Sequence, residues 1–313
     1  MRGILLLLAV CAAMAVGAQG LAKRHRLIKS EYEAEHYAEV VRLIDLQLKE
    51  SEGTTWQDSI QLYLYEYGRA KRKLKDADAG VKAAEHLYAL VKERGVPKNE
   101  LEALFDLSWT YYDVGRMKEC VRVDSTAVRV ADGAPDIPPP QRGRARQYLA
   151  FDYSMLGDHR NSAKYALQAL DEYAKADTVS PVQWAESYNA VGAAYWHMGL
   201  VHKAEGYYMK ALDVLGDGTS EEVLARKVST NGNLGVMWQG AGDYARSRNY
   251  YHESLLNSDR VIAEASDPFT RDEAIVNRSR TYLNLATLYH QYSDEARARE
   301  LLEMTWADRS KVF

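Results

Sequence analysis

Residues 188–212 read YNAVGAAYWHMGLVHKAEGYYMKAL, a stretch in which small and aromatic residues alternate at helical spacing. The marked positions lie 0, 3, 7, 12, 16 and 19 residues from Gly192. They are occupied by Gly192, Tyr195, Gly199, Ala204, Tyr208 and Ala211. Glycines in such a stretch either line a ligand-binding loop or allow two helices to approach closely. One occurrence does not distinguish these two interpretations.

Four further copies of the six-position pattern do distinguish them. The first position of each copy, which we call the anchor, is occupied in turn by Ser108, Ala150, Gly192, Gly235 and Ala286. Successive anchors are 42, 42, 43 and 51 residues apart, and we expect a loop at residues 266–270 to account for the longest interval. Because a fixed period indicates a repeat architecture, we interpret the glycines as spacers between helices.

Each copy predicts two helices joined by a short turn. The anchor and the aromatic residue three positions later form an apolar stripe at helical spacing. The glycines at offset 7 are predicted to take positive φ in the turn, and they are Gly115, Gly157, Gly199 and Gly242. Small residues at the anchor and at offset 12 bring the two helices together, and we expect the large aromatics to fill the space toward the next pair. No stretch alternates with a period of two, so we predict no sheet.

Capping signals predict where several helices begin. SPVQ at residues 180–183 predicts a capping box followed by a proline at the first helical position. TSEE at 219–222 and TRDE at 270–273 repeat the Thr-x-x-Glu form of this signal. DGAPDIPPP at 132–140 contains four prolines and is predicted to connect two helix pairs.

A small residue, an aromatic three positions later, a turn glycine and then small–aromatic–small is a pattern that resembles the tetratricopeptide repeat. The 42-residue period resembles the kinesin-light-chain style of this family and the repeats that precede CHAT domains in bacterial proteins. The resemblance is clear over residues 99–313 and degenerate over about 28–95. It implies an all-α, right-handed superhelical solenoid of antiparallel helix pairs over residues 19–313, with six to seven repeats.

The N-terminus has the features of a secretory signal peptide. Residues 1–18, MRGILLLLAVCAAMAVGA, contain one arginine, a long apolar run and small residues before a cleavage site after Ala18. We therefore expect an exported protein, periplasmic or extracellular. Two alternatives stay open, an uncleaved membrane anchor and a lipid anchor on Cys11, and we expect no other contact with a membrane.

Composition and motifs argue against several classes of function. The formal net charge of −4 does not suit a nucleic-acid-binding protein. No nucleophile elbow, Walker loop or zinc-protease motif occurs, so we predict no enzyme, no cofactor and no metal. Cys120 occupies the small-residue position at offset 12, and we predict that it is a buried spacer.

In such a solenoid, the first helix of each pair lines a concave groove. Residues two and three before the anchor, and one, four and five after it, are predicted to point into that groove. The aromatic candidates are Phe105, Trp109, Tyr112, Phe151 and Trp196. The amide candidates are Gln147, Asn189, Asn233, Gln239 and Asn284, and the histidine candidates are His197 and His290. The aromatics either anchor apolar side chains of a partner or fill the inner core.

The resemblance implies a particular role for the asparagines. In peptide-binding tetratricopeptide repeats, an asparagine just before the hydrophobic–small pair holds the backbone of an extended peptide. Asn233 and Asn284 match that position, whereas Asn189 lies one residue earlier. An amide both donates and accepts hydrogen bonds, which suits a peptide bond of any sequence. The alternative is that these amides contact only water.

Two functions from different classes follow. The first is a non-catalytic scaffold that binds a protein or peptide segment in the concave groove. The second is the N-terminal sensor or regulatory half of a larger protein, such as a CHAT-type protease or a membrane signalling protein, with its activity beyond residue 313. TWADRSKVF, residues 305–313, ends without a polar capping helix. This predicts either further chain or docking of the last repeat on a partner, including a second copy of the protein.

Overall fold

The computed structural model describes residues 23–34, 36–50, 77–266 and 268–312. Within these ranges the chain forms helices and no strand, which confirms the all-α prediction. The predicted signal peptide, residues 1–18, lies outside the described residues. The helices are α1 (23–33), α2 (Tyr37–Glu50), α3 (Ala77–Arg94), α4 (Pro97–Asp113), α5 (Met117–Gly133), α6 (Pro139–Met155), α7 (His159–Tyr173), α8 (Pro181–His197), α9 (Val201–Leu215), α10 (Glu221–Gly240), α11 (Tyr244–Glu264), α12 (Pro268–Gln291) and α13 (Glu295–Val312).

The chain divides into two compact units between Ile137 and Pro138. Unit 1 contains α1–α5, and unit 2 contains α6–α13. The division falls inside the proline-rich segment that the sequence predicts as a connection, because proline lacks the N–H that a continuous helix needs. The prediction of a single solenoid over residues 19–313 stays a prediction.

In unit 2 the helices form four hairpins, α6/α7, α8/α9, α10/α11 and α12/α13. We call α6, α8, α10 and α12 the first helices, and α7, α9, α11 and α13 the second helices. Each first helix contacts the first helix of the next hairpin, and each second helix contacts the first helix that follows it. Helices α4 and α5 of unit 1 form a hairpin of the same kind. Stacking of this type buries the apolar face that one hairpin alone would expose.

The turns inside the hairpins confirm the prediction for their glycines. All four glycines at offset 7 have positive φ, from 74° at Gly115 to 81° at Gly242. A Cβ atom at these positions would meet nothing within 4 Å, so the backbone conformation, and not space, requires glycine. The fifth copy has Ser293 at this position, with a φ of 60°.

The anchor glycines serve a different purpose, which confirms their role as spacers. A Cβ atom on Gly192 would lie 2.8 Å from the ring of Tyr208, and one on Gly235 would lie 2.5 Å from the ring of Tyr251. These offset-16 tyrosines also pack toward the next hairpin, as predicted, because Tyr208 shares an apolar cluster with Leu234 and Tyr251 shares one with Leu285. The missing side chain lets an aromatic ring lie directly on the first helix.

The other small positions agree with this packing. In hairpin α4/α5 the anchor Ser108 donates a hydrogen bond to the buried Asp124 at offset 16, with 2.8 Å between the oxygens. Cys120 at offset 12 is fully buried, as predicted for a spacer. Within the described residues, no helix combines the length and the apolar character needed to cross a bilayer.

The helix starts confirm one capping prediction and correct two. Ser180 and Gln183 form the predicted capping box at the start of α8. In TSEE the cap of α10 is Ser220, whose side chain accepts from the N–H of Val223, and not the preceding threonine. Helix α12 begins at Pro268, so the threonine of TRDE lies inside its first turn. The longest interval between anchors thus comes from the longer helices α11 and α12, of 21 and 24 residues, and not from a loop at residues 266–270. The Thr-x-x-Glu pattern therefore identified the start of these helices but not the capping residue.

Buried charge fastens the last hairpin. The guanidinium of Arg278 on α12 donates to both carboxylate oxygens of Asp308 on α13, at 2.8 and 2.7 Å. It also donates to Asp259 on α11, at 2.6 Å. Burial by itself raises the pKa of Asp308, but hydrogen bonds from Arg278 and Lys311 outweigh it and hold the pKa below its usual range. One guanidinium thus joins three helices.

Candidate functional site

The groove candidates of unit 1 lie on α4. Trp109 is 41% exposed, and its ring meets that of Tyr112 edge-on with centroids 5.4 Å apart. Phe105 is only 2% exposed, which corrects its assignment as a groove residue. It therefore belongs to the inner core, the alternative that the sequence left open.

The aromatic candidates of unit 2 differ from each other. Phe151 on α6 is 38% exposed, one position after the anchor. Trp196 on α8 is partly buried and lies against Gly240 of α10, where a Cβ atom would approach its ring to 2.6 Å. Trp196 therefore contributes to packing between neighbouring first helices. The aromatic floor predicted from the sequence combines residues of both units and stays a prediction.

The amides three residues before the anchor form hydrogen bonds with other side chains of the protein. Gln147 on α6 donates from Nε2 to Glu186 on α8 at 2.6 Å, and its Oε1 accepts from the hydroxyl of Tyr173 at 2.7 Å. Burial, and then the charge of Glu186, raises the pKa of Tyr173, so its hydroxyl stays a donor. Asn189 on α8 donates from Nδ2 to Thr230 on α10 at 2.7 Å. Both amides thus join one first helix to the next.

The amides two residues before the anchor, Asn233 and Asn284, differ from these. Both side chains are partly exposed, and neither makes a hydrogen bond to any residue that the structure describes. One residue along an α-helix turns a side chain by about 100°, which moves these amides away from the neighbouring helix. Their donors and acceptors are therefore available to a ligand.

Gln239, four residues after its anchor, occupies an intermediate position. Its Oε1 accepts from the hydroxyl of Tyr251 at 2.8 Å, and its Nε2 donates to Gln291 of α12 at 3.2 Å. The hydroxyl bond fastens the second helix to the first, and the contact with Gln291 is exposed. Protein groups thus occupy both ends of this amide.

The two histidine candidates lie at helix ends. His197 stacks on His159 with ring centroids 4.3 Å apart, and burial followed by the charge of His159 lowers the pKa of His197. His290 lies with its Nδ1 2.8 Å from a carboxylate oxygen of Glu295. Each ring is therefore engaged by a neighbouring side chain of unit 2.

A cavity of about 500 Å³ lies near the N-terminal ends of the first helices α8, α10 and α12. It is lined by residues of α8, α10, α11 and α12. Arg226 and Asn277, two of its lining residues, precede Asn233 and Asn284 by seven positions each. Seven residues are close to two helical turns, so cavity and free amides share one face of each helix. Extending the groove positions by seven residues would have found this cavity in the sequence.

The chain was compared with known proteins, and no family model and no curated protein matches it. Solved structures do match. BtubC from P. vanneervenii is 21% identical over 75% of this chain and 89% of its own, with a TM-score of 0.56. The second is a signal-transduction ATPase with numerous domains (STAND) from Pyrococcus horikoshii, which has a tetratricopeptide repeat sensor. It is 13% identical over 92% of this chain and 41% of its own, with a TM-score of 0.61. NprR in complex with its cognate peptide NprX is 15% identical over 92% of this chain and 76% of its own, with a TM-score of 0.56.

The stacked hairpins, their turn glycines and their glycine–tyrosine contacts define a helical-repeat protein. Together with these solved structures, they show that the fold is that of the tetratricopeptide repeat proteins. The resemblance seen in the sequence is thereby confirmed at the level of the fold.

Proposed function

We propose that the protein is a non-catalytic scaffold that binds an extended peptide or protein segment along the groove face of unit 2. The observation that carries this proposal is the pair Asn233 and Asn284. They occupy the same position in successive first helices, they are partly exposed, and no described residue hydrogen-bonds their amides. The structural likeness to NprR, solved with its cognate peptide, supports the same class of partner.

The two asparagines are suited to holding a main chain. A carboxamide can donate to the carbonyl of a peptide bond and accept from the N–H of the same chain. Packed helices have axes about 8–10 Å apart, which corresponds to about three residues of extended peptide. Two amides repeated at this spacing would hold peptide bonds about three residues apart without reading side chains. Exposed groove residues such as Phe151 and Val236 would add apolar contacts.

The test is a comparison of matched variants on selected peptides. A displayed library of random peptides is selected on the wild type, and the recovered peptides are measured by fluorescence polarisation. We expect Asn233→Ala/Asn284→Ala to weaken binding of these peptides at least tenfold, about 1.4 kcal/mol. The control is Asn249→Ala, which removes an exposed amide from α11, outside the groove face. Equal binding by the double variant and the wild type would reject the groove assignment.

A second candidate function rests on the exposed face of α13. Trp306, at offset 20, is 74% exposed. The equivalent residues Leu170, Leu212 and Leu255 belong to apolar clusters that include the first helix of the next hairpin. The face of α13 thus has the composition of an internal stacking surface.

We expect further helical structure to cover this face of α13. The covering element is either a following segment, as in a sensor half attached to a CHAT-type protease or a membrane signalling protein, or a second copy of the chain. Light scattering of the purified protein tests the second copy, with Trp306→Ala expected to convert a dimer into a monomer. The downstream gene sequence tests the first. A monomer encoded by a gene that stops at Phe313 would remove this candidate.

We also propose that the protein is exported and acts in the periplasm or outside the cell. The support is the sequence of residues 1–18, with its apolar run and small residues before Gln19. N-terminal sequencing of the natural protein tests this, because cleavage after Ala18 gives a chain that begins with Gln19. A mature protein that keeps Met1 and stays in the cytoplasm would contradict it.

A further inference from the structure

The cavity of unit 2 has an acidic rim and an apolar floor. Val228, Val261 and Ala274 are buried lining residues, and they form the floor. The rim carries four glutamates, which are Glu186, Glu221, Glu222 and Glu273, and one cation, Arg226. A cavity of this kind is suited to a side chain with an apolar stem and a positive end.

Only some of the charged side chains of the cavity have partners within the protein. Arg226 pairs with Glu186, with 3.1 Å between nitrogen and oxygen, so the cation of the cavity is already engaged. Glu221 accepts from the backbone N–H of Ser266 at 3.3 Å. Glu222 and Glu273 are exposed, and neither forms a hydrogen bond or an ion pair with any described residue. Two carboxylates of the rim are therefore available.

Complementarity to the helix dipole explains only some of these carboxylates. Glu221 and Glu222 lie in the first turn of α10, where the partial positive charge of the helix favours an acid. Glu273 is the sixth residue of α12 and lies beyond its first turn, where this effect has fallen off. It nevertheless lines the same cavity as the other three. The acidic rim is thus a shared property of three first helices and not of one helix end.

We propose that this cavity binds a lysine or arginine side chain of the peptide whose main chain is held by Asn233 and Asn284. The inference rests on the proposed peptide-binding function and adds a requirement on the sequence of the peptide. The stem of the basic residue lies on the apolar floor, and its charge meets Glu222 and Glu273. Seven residues of helix separate Asn277 from Asn284, which is about 10 Å. Beyond Asn284 the peptide turns toward the N-terminal end of α12, and an extended chain covers this distance in about three residues. The basic side chain therefore lies about three positions from the peptide bond held by Asn284.

The test uses a fluorescein-labelled peptide of alternating lysine and alanine and a matched peptide with glutamate in place of lysine. Fluorescence polarisation is measured for the wild type, for Glu222→Gln/Glu273→Gln and for Glu300→Gln/Glu303→Gln. The last variant changes the net charge equally with exposed residues of α13, outside the cavity. We expect the wild type to bind the lysine peptide and not the glutamate peptide. The cavity variant should bind it about tenfold more weakly, and the α13 variant as the wild type does.

Three results would overturn the inference. They are equal binding by the cavity variant and the wild type, equal weakening in both glutamine variants, and no binding of the lysine peptide by the wild type. Asn233→Ala/Asn284→Ala, measured on the peptides selected from the library, separates this failure from that of the proposed function. If that variant loses the selected peptides while the cavity variant keeps them, the groove assignment stands and the basic subsite falls. Circular dichroism during urea unfolding shows that all variants are folded.

Discussion

Two neighbouring parts of unit 2 hold their first helices together in different ways. Between α6, α8 and α10, amides on the groove face join one helix to the next, through Gln147 to Glu186 and Asn189 to Thr230. Around α12 the strongest polar contact lies among α11, α12 and α13, where Arg278 joins the three helices. On the groove side between α10 and α12, the described residues form one side-chain hydrogen bond, the exposed bond from Gln239 to Gln291.

This difference shows how one position decides between structure and function. Gln147 and Asn189 lie three residues before their anchors and serve the fold, whereas Asn233 and Asn284 lie two residues before theirs and remain available. A rotation of about 100° around the helix separates the two sets. In the last hairpin, Arg278 joins α12 to α11 and α13 without an amide of the groove face.

We expect the largest loss of stability when the ion pairs that hold the last hairpin together are removed. We expect Arg278→Ala to lower the free energy of unfolding by about 3 kcal/mol, because it leaves the buried Asp308 without its main partner. Arg280→Ala, an exposed position on the same helix, should change it by less than about 0.5 kcal/mol. Urea unfolding followed by circular dichroism measures both. A loss of similar size in the two variants would show that the ion pairs contribute little.

The same ion pair predicts a pH dependence. The folded-state pKa of Asp308 is lowered, so its contribution to stability is fully present above the unfolded value of about 3.9 and is lost as pH falls through the folded pKa. The stability difference between the wild type and Asp308→Asn should therefore be constant above about pH 5. It should shrink as the pH falls below about 4. A difference independent of pH would indicate loss of packing and not of charge.

The next largest effect compares an amide of each set. Gln147→Ala leaves the hydroxyl of Tyr173 and the carboxylate of Glu186 with fewer partners in a partly buried site, which should cost about 2 kcal/mol of stability. Asn233→Ala removes no hydrogen bond to a described residue and should cost less than about 0.5 kcal/mol. Urea unfolding of the two variants side by side measures the difference. Equal costs would mean that the distinction between the two sets does not exist.

The sequence predicted what depends on local pattern. The hairpins, the positive φ of the turn glycines and the role of Gly192 as a spacer all follow from residues that are close in the repeat. The spacing in the sequence also sets Asn189 apart from Asn233 and Asn284. Such features recur in every copy, so one copy informs the others.

The features that the sequence did not reveal depend on which neighbouring helix a side chain meets. Trp196 packs onto Gly240, and no pattern within one repeat connects these two residues. Phe105 is buried whereas Trp109 on the same helix is exposed, and the pattern within their repeat does not separate the two. The acidic rim of the cavity combines glutamates of three first helices, and each helix contributes one or two of them. The seven-residue continuation of the groove positions indicates which face of each helix lines the cavity. Which helices meet there depends on contacts between repeats, and the pattern within one repeat does not give these.

A double-mutant cycle sharpens the comparison at the level of one hydrogen bond. For Asn189→Ala and Thr230→Val we expect a coupling energy of about 1 kcal/mol, because the two side chains are 2.7 Å apart. For Asn233→Ala and Asn284→Ala the coupling should be near zero, because neither amide contacts the other. Thermal or urea unfolding gives both values. Coupling at the second pair would show that the asparagines interact in the unbound protein.

The smallest expected effect concerns the turns, where the last hairpin again differs from the others. Ser293 has a φ of 60° at the position that glycine occupies in the other four copies. This conformation costs a residue with a Cβ atom roughly 1–2 kcal/mol. Glycine avoids this cost, but its greater conformational freedom in the unfolded chain offsets part of the gain in stability. Ser293→Gly should therefore stabilise the protein by about 0.5 kcal/mol, and Gly242→Ser should destabilise it by a similar amount. If both substitutions are destabilising, the hydroxyl of Ser293 contributes an interaction that offsets the strain of its backbone.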